Sequence, residues 1–442
     1  MDKREWGWRL KAGMAAGCVL LLGACSEKAK VDLSQQLGGN PELPKAQNFL
    51  VPPMQVPDGV GWKGAAKPQV APGLQIEKIA SGLLHPRQLL VLPNQDVLVV
   101  EANGPGEEAV TTPKQVIAGI IKGRSGKGGK GGNRITLLRK KPGSSVEWEQ
   151  HVYIEHLHSP FGIQLVGDTL YVANTGNIMK YHYTPGETRM SDPGTELGDL
   201  PSTVNHHWTK ALLASPDGKK LYVGSGSNSN ITENGLEVEY RRAAVLEVDT
   251  ATGASRVFAS GIRNPTGLQW EPQSGKLWAI ANERDEIGAD LVPDYLTSVK
   301  EKGFYGWPYS YYGQHVDDRV QPQRPDLVKT AVKPDYALGS HVAALGLLFY
   351  TGDALPRYKR GAFVAEHGSW DRSPLSGYQV VYVPFENGMP KGAAQPVVTG
   401  FHSVDEKELY GAPVGMAQDA AGALLIADDV GNVVWRVTST SH

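Results

Sequence analysis

Short apolar strands, turn signals at nearly every step and six copies of one turn-strand pattern predict an all-β fold, a six-bladed β-propeller. The chain has 442 residues, with 52 Gly and 30 Pro, as expected for many tight turns. Almost no stretch shows helical periodicity. The repeated unit is a turn rich in Pro, Gly, Asn or Asp that leads into a short apolar strand. It occurs at Leu92–Val100, Val166–Val172, Ser215–Val223, Glu271–Ala279, Tyr358–Val364 and Asp419–Ile426. The spacing is uneven, close to the length of a blade plus insertions. The last strand, near Val433 to Val437, is expected to share a blade with the first, near Gln75 to Ile79, and so close the ring. A pair of β-sandwiches is the alternative, but the regular position of the motif argues against it.

The N-terminus reads as an address. Lys3, Arg4, Arg9 and Lys11 precede an apolar run from Ala12 to Leu22, too short to span a bilayer comfortably. Leu22–Cys25 has the form of a bacterial lipobox, with small residues for a peptidase and a thiol to carry lipid. Residues 1–25 are therefore expected to be a lipoprotein signal, with Cys25 lipidated. An ordinary secretory signal is the alternative. Ser26 follows the cysteine, so in a Gram-negative cell the protein is expected at the periplasmic face of the outer membrane. The other cysteine, Cys18, lies inside the signal, which leaves no disulfide or thiolate metal site in the mature chain. Residues 26–73 carry seven prolines, Pro41, Pro44, Pro52, Pro53, Pro57, Pro68 and Pro72, and read as a semi-extended tether. The propeller is expected over 74–442.

Charge is nearly balanced, 44 Lys and Arg against 46 Asp and Glu, which gives no footprint for nucleic acid. Two insertions stand out. Residues 104–133 include Lys122–Gly132, which fails the spacing of a phosphate loop and reads as a mobile basic surface loop. The second, roughly 287–345, is dense in aromatics, including Gly303–Gly313. These rings could wall a sugar cleft or form a satellite core under a long loop.

A propeller gathers loops from all blades at one end of its channel, so chemistry should flank the repeated strands. His206 and His207 precede one such strand, and neutral imidazole is a natural base near pH 7. Arg263 and Asn264 lie in a Pro-braced turn, where a cation and an amide could polarise a carbonyl. Glu283, Asp285 and Glu286 offer oxygen ligands for a hard cation. His367, Trp370 and Arg372 follow the fifth repeat.

Taken in order, His206–Lys210, Gly261–Pro265, Asn282–Glu286, Gly303–Tyr309 and Glu366–Ser373 resemble the glucose/sorbosone dehydrogenases, and most of all the sorbosone and pyranose dehydrogenase branch. The resemblance covers nearly all of 74–440. It implies a propeller that binds pyrroloquinoline quinone (PQQ) beside Ca²⁺ and oxidises an aldose or sugar aldehyde, with hydride passing from C1 to the quinone. His207 matches the catalytic base, and Arg263 the arginine that polarises the quinone carbonyl. Arg87, Asn264, Arg284, His367, Trp370 and Arg372 fall to the cofactor rim. Asp285 and Glu286 fall to the calcium loop, where the resemblance allows backbone oxygens as well as carboxylates as ligands. One departure is visible: Ala412 stands where the resemblance implies an arginine facing a cofactor carboxylate, so weak PQQ binding is expected unless another cation, such as Arg87 or Arg372, substitutes, and Ala412→Arg is expected to tighten it. No Cys-x-x-Cys-His haem site is present, so electrons are expected to leave through an external quinone or cytochrome. A calcium-dependent lactonase and a non-catalytic binding propeller are the competing readings.

Overall fold

A computed structural model describes residues 28–47, 55–106, 119, 123–144, 148–203 and 206–440. The signal segment and Cys25 lie outside the described residues. The described residues form six antiparallel sheets of four to six strands arranged as blades. Their innermost strands are Pro86–Val91, Gly162–Val166, Lys210–Ala214, Asn264–Trp270, Ala344–Tyr350 and Pro413–Gln418, and these neighbour one another around the axis. Each of the six sequence repeats is the turn joining an innermost strand to the second strand of its blade.

Ring closure follows the expected pairing. Leu74–Ser81 runs antiparallel to Val433–Ser439, with Ile76 opposite Val437. The blade that ends the chain thus takes its outer strand from the start of the propeller, which ties the two ends together. Second strands such as Val97–Glu101 and Leu424–Asp428 are buried along their whole length. Each blade packs on two neighbours, so both faces of these strands must be apolar. Between the fourth and fifth blades, Trp278 meets Phe385 edge-on at 5.0 Å amid Ile280, Leu347 and Val364.

Three expectations are corrected. The first is the tether. Its described parts, 28–47 and 55–73, are extended but docked. Leu37–Gly38 adds a fifth strand to the fourth blade, and Gln69–Val70 adds one to the fifth. Both cover sheet edges that would otherwise present unpaired backbone groups. Trp62 donates to Asp428 at 2.7 Å. The prolines keep the strap extended without preventing these contacts.

The second is the basic insertion. Its described end is not a free surface loop. Ser125 is fully buried, and Lys127 Nζ donates to Gly368 O at 2.9 Å and to Tyr378 Oη at 3.0 Å. The ammonium also lies 4.4 Å from the Tyr378 ring.

The third is the aromatic insertion, whose two readings are now separated. Tyr305, Trp307, Tyr309, Tyr311 and Tyr312 are all buried; Tyr305, Tyr311 and Tyr312 pack in one apolar cluster and Tyr309 in a smaller one. Trp307 donates its indole N–H to Asn230 O at 3.0 Å. These rings build a satellite core rather than a cleft wall.

Candidate active site at one mouth of the channel

In an antiparallel blade, the start of the innermost strand and the end of the second strand lie at the same end. That topology alone brings His85 and Arg87, His207, Arg263 and Asn264, and His341 to the mouth that also receives Ser227, Glu283–Asp290, His367–Arg372 and Asp429. Residues far apart in sequence become neighbours there.

His207 is half-buried. Its Nδ1 lies 3.0 Å from both Ser227 O and Ser227 Oγ. A backbone carbonyl can only accept, so this pair favours the tautomer with hydrogen on Nδ1 and the lone pair on Nε2. Gly226 makes the close approach possible: a Cβ there would lie 2.5 Å from His207 Cβ and 2.4 Å from Asn264 Oδ1. His206 meets the His207 ring edge-on at 4.6 Å.

Arg263 is buried. Its Nε donates to Asn230 O (3.2 Å), Nη1 to Glu283 O (2.6 Å), and Nη2 to Asn230 Oδ1 (2.9 Å) and Asp285 Oδ2 (3.3 Å). A guanidinium has five N–H groups, so one on Nη1 remains for a further acceptor.

Asp285 leads into a second cluster. One ligand atom each from Asp285, His341 and Asp371 lies within 4.8 Å of the others. His341 Nδ1 is 3.4 Å from Asp285 and 3.3 Å from Asp371, and its Nε2 donates to Gly288 O at 3.0 Å. Burial pushes His341 down, but Asp371 and Asp285 outweigh it and lift the imidazole to about 10. Burial would raise Asp285, yet its bond to His341 and the Arg263 charge hold it at about 2. Burial dominates at Asp371 and raises it to about 7.

The third cluster centres on Asp429, fully enclosed. Arg87 Nη1 donates to its Oδ2, His85 Nε2 lies 3.3 Å away, and His367 Nε2 is 2.9 Å from Oδ1. Burial favours a neutral Asp429, but His367, His85 and Arg87 together hold it far below the carboxylate range. The Arg87 guanidinium is 5.5 Å from the Trp208 ring and 5.8 Å from Phe161. Burial lowers His367 to about 4, with the Asp429 charge opposing.

That shift sets a pH dependence. The folded state disfavours protonation of His367, whereas an unfolded histidine titrates near 6.5. Its contribution is therefore present above about pH 6.5 and is lost as pH falls towards 4. Relative to wild type, His367→Gln should gain about 2 kcal/mol of stability between pH 7 and pH 5, read from denaturant melts at both pH values. An unchanged difference would mean that His367 titrates in the fold as it does in the unfolded chain, and that burial does not hold it neutral.

The structure sorts the expected site residues. His207, Arg263, Asn264, Arg87, His367 and Asp285 converge at the mouth. Arg284 does not: it is fully buried, and its guanidinium is committed to Glu283, Asp317, Pro308 O and Ser310 O. Arg372 is likewise an internal strut, bonded to Ala289 O, Pro374 O and Asp290. Neither is placed to replace a rim arginine. Trp370 is partly exposed, and its carbonyl accepts from Gln55 N. Glu286 does not join the cluster of Asp285; Asp371 and His341 do. Ala412 is fully buried in an apolar cluster with Phe401, Leu409 and Trp435. An arginine there would enter the core, so the expectation that Ala412→Arg would improve cofactor binding is withdrawn. Arg87 already supplies a cation at the mouth.

Buried polar atoms at this mouth that make no hydrogen bond include Asn264 Oδ1, Arg87 Nε and Glu283 Oε1. Buried polar atoms are normally satisfied. Two arginines, a lysine and a pair of aspartates around such atoms suit a flat, carboxylate-bearing ligand together with a hard cation.

A family model described as TrAA12-like matches residues 127–300 and 320–440, more than half of the chain. The chain belongs to the TrAA12-like family. Among relatives of this TrAA12-like protein, a pyrroloquinoline quinone-dependent sugar dehydrogenase of Hypocrea jecorina is 22% identical over 413 residues, spanning 82% of this chain and 87% of that one. An uncharacterized protein of Borreliella burgdorferi is 26% identical over 297 residues, 64% of this chain and 76% of the other. The holo form of the pyranose dehydrogenase PQQ domain from Coprinopsis cinerea has the same fold, with a TM-score of 0.69 at 20% identity, covering 87% of this chain and 100% of that one.

Proposed function

We propose that this TrAA12-like protein is a PQQ- and Ca²⁺-dependent dehydrogenase of sugars, and that the oxidised carbon is the C1 of an aldose or a sugar aldehyde. The observation that carries the reading is the Nδ1 contact of His207 with Ser227 O, which puts the hydrogen on Nδ1 and makes Nε2 the basic nitrogen. Family membership and the relatives' cofactor support it.

When bound, PQQ would supply a two-electron acceptor and Ca²⁺ a Lewis acid. The chain supplies the rest. His207 Nε2 takes the proton from the substrate hydroxyl, and Ser227 O stabilises the resulting imidazolium through Nδ1–H. Arg87 and Lys127 would answer carboxylates of the cofactor, and the remaining Nη1 hydrogen of Arg263 would be available to a carbonyl oxygen. Asp285 and Asp371 would hold the hard cation. Reducing equivalents leave to an external acceptor, a quinone or a cytochrome. The Cys25 lipobox supports residence at a membrane surface, and the mass of the N-terminal peptide tests that part.

Purified apo-protein titrated with PQQ and Ca²⁺ should give a saturating absorbance change, and sugar-dependent reduction of an artificial acceptor should require both. Turnover of a lactone without PQQ, and no quinone uptake, would replace this reading with a hydrolase.

A further inference from the structure

We propose that the N-terminal strap, acting chiefly through Gln36, is a positioning element of the Asp285–His341–Asp371 centre. The inference rests on reading that centre as the Ca²⁺ site. Gln36 is fully buried, unusual for a glutamine on a surface segment. Its Nε2 donates to Asp290 O at 2.9 Å, and its Oε1 accepts from Ser340 N at 3.4 Å. Asp290 ends the loop that opens at Asp285, and Ser340 immediately precedes His341. One side-chain amide thus bridges the segments that carry two of the three groups.

The strap also reaches the third. Ala29 N donates to Ser373 O at 2.8 Å, two residues beyond Asp371. Lys30 N and Val31 N donate to Asp290 Oδ2 at 2.6 and 3.1 Å, and Gln47 N donates to Ile287 O at 3.0 Å. The loop 287–290 has no ladder of its own. Its four carbonyls are taken by Gln47 N, His341 Nε2, Arg372 Nε and Gln36 Nε2 in turn. Two of these donors, and two bonds to the Asp290 carboxylate, come from the strap. The strap's own place is set by the Leu37–Gly38 pairing with the fourth blade.

A hard cation is bound tightly only where its oxygen ligands are held in place beforehand, and loss of an outer partner commonly costs about 10- to 100-fold in metal affinity. The strap supplies such partners to every segment of the centre. The segment that precedes the propeller is therefore also part of the frame of the site.

The test is calorimetric titration of the purified apo-protein with Ca²⁺ alone, for wild type, Gln36→Met and Lys30→Pro. Gln36→Met keeps length and bulk but removes both hydrogen bonds. Lys30→Pro removes one backbone donor at an exposed residue, so it reports even if the buried substitution prevents folding. Gln36→Met should weaken Ca²⁺ binding about 10- to 100-fold, and Lys30→Pro by a smaller factor, with Lys30→Pro melting as wild type does in chelator. A merely structural strap would lower the melting midpoint and leave Ca²⁺ affinity unchanged; that result overturns the proposal. If wild type itself takes up no Ca²⁺, the reading of the centre as a cation site falls instead, and the proposal with it.

Discussion

Replacing His207 by alanine should lower turnover of the reconstituted protein by about a hundred- to ten-thousand-fold, the usual cost of losing a general base. PQQ uptake should change little, because the cations at the mouth come from Arg87, Arg263 and Lys127. Stability should also hold, since His207 is only half-buried and Ser227 Oγ keeps its own bond to Ser229 O at 2.6 Å. The readout is single-turnover reduction with saturating sugar, alongside the absorbance titration for PQQ. Near wild-type turnover would remove His207 from the role. His206, whose ring lies 4.6 Å away, would then be the group to replace.

The second large effect is on stability. Asp429 is fully enclosed and answers the Arg87 guanidinium as well as two imidazoles. Asp429→Asn keeps the shape but removes the charge, leaving Arg87 buried with no counter-ion. Breaking such a pair from one side costs about 3–5 kcal/mol, far more than an exposed ion pair. Denaturant unfolding should show a loss of that size for Asp429→Asn. The double variant Arg87→Met with Asp429→Asn should recover part of it, because no unpaired buried charge remains. A loss below about 1 kcal/mol would show that water reaches the cluster and screens it. The double variant should also bind PQQ more weakly, separating the two duties of Arg87.

Much of this protein follows from local sequence alone. The turn-strand repeat marks the first hairpin of every blade, because Pro, Gly, Asn and Asp select tight turns and apolar runs of this length select strands buried on two faces. Ring closure was legible from two apolar segments at the ends of the propeller. His207, Arg263 and Asn264 could be singled out because each sits in a motif next to a recognisable strand. His341 was missed, although it precedes its innermost strand much as His207 precedes its own; no further motif surrounds it. Asp371 lies within the Glu366–Ser373 motif, but nothing local marks it out from the His, Trp and Arg around it.

Tertiary structure decided everything that depends on partners. An arginine in a loop has the same sequence signature whether it faces a ligand or braces a fold. Only packing shows that Arg284 and Arg372 spend their donors on neighbouring carbonyls and carboxylates, while Arg263 keeps one. Proline content marks the strap as extended but cannot say whether it is docked, because docking depends on edge strands supplied by blades hundreds of residues away. The aromatic insertion reads equally well as cleft wall or core until burial is known. Ala412 aligned with a cofactor contact in sequence and lies in apolar packing in space. The three buried clusters exist only because antiparallel blades return one end of many strands to a single mouth, a juxtaposition no spacing along the chain records.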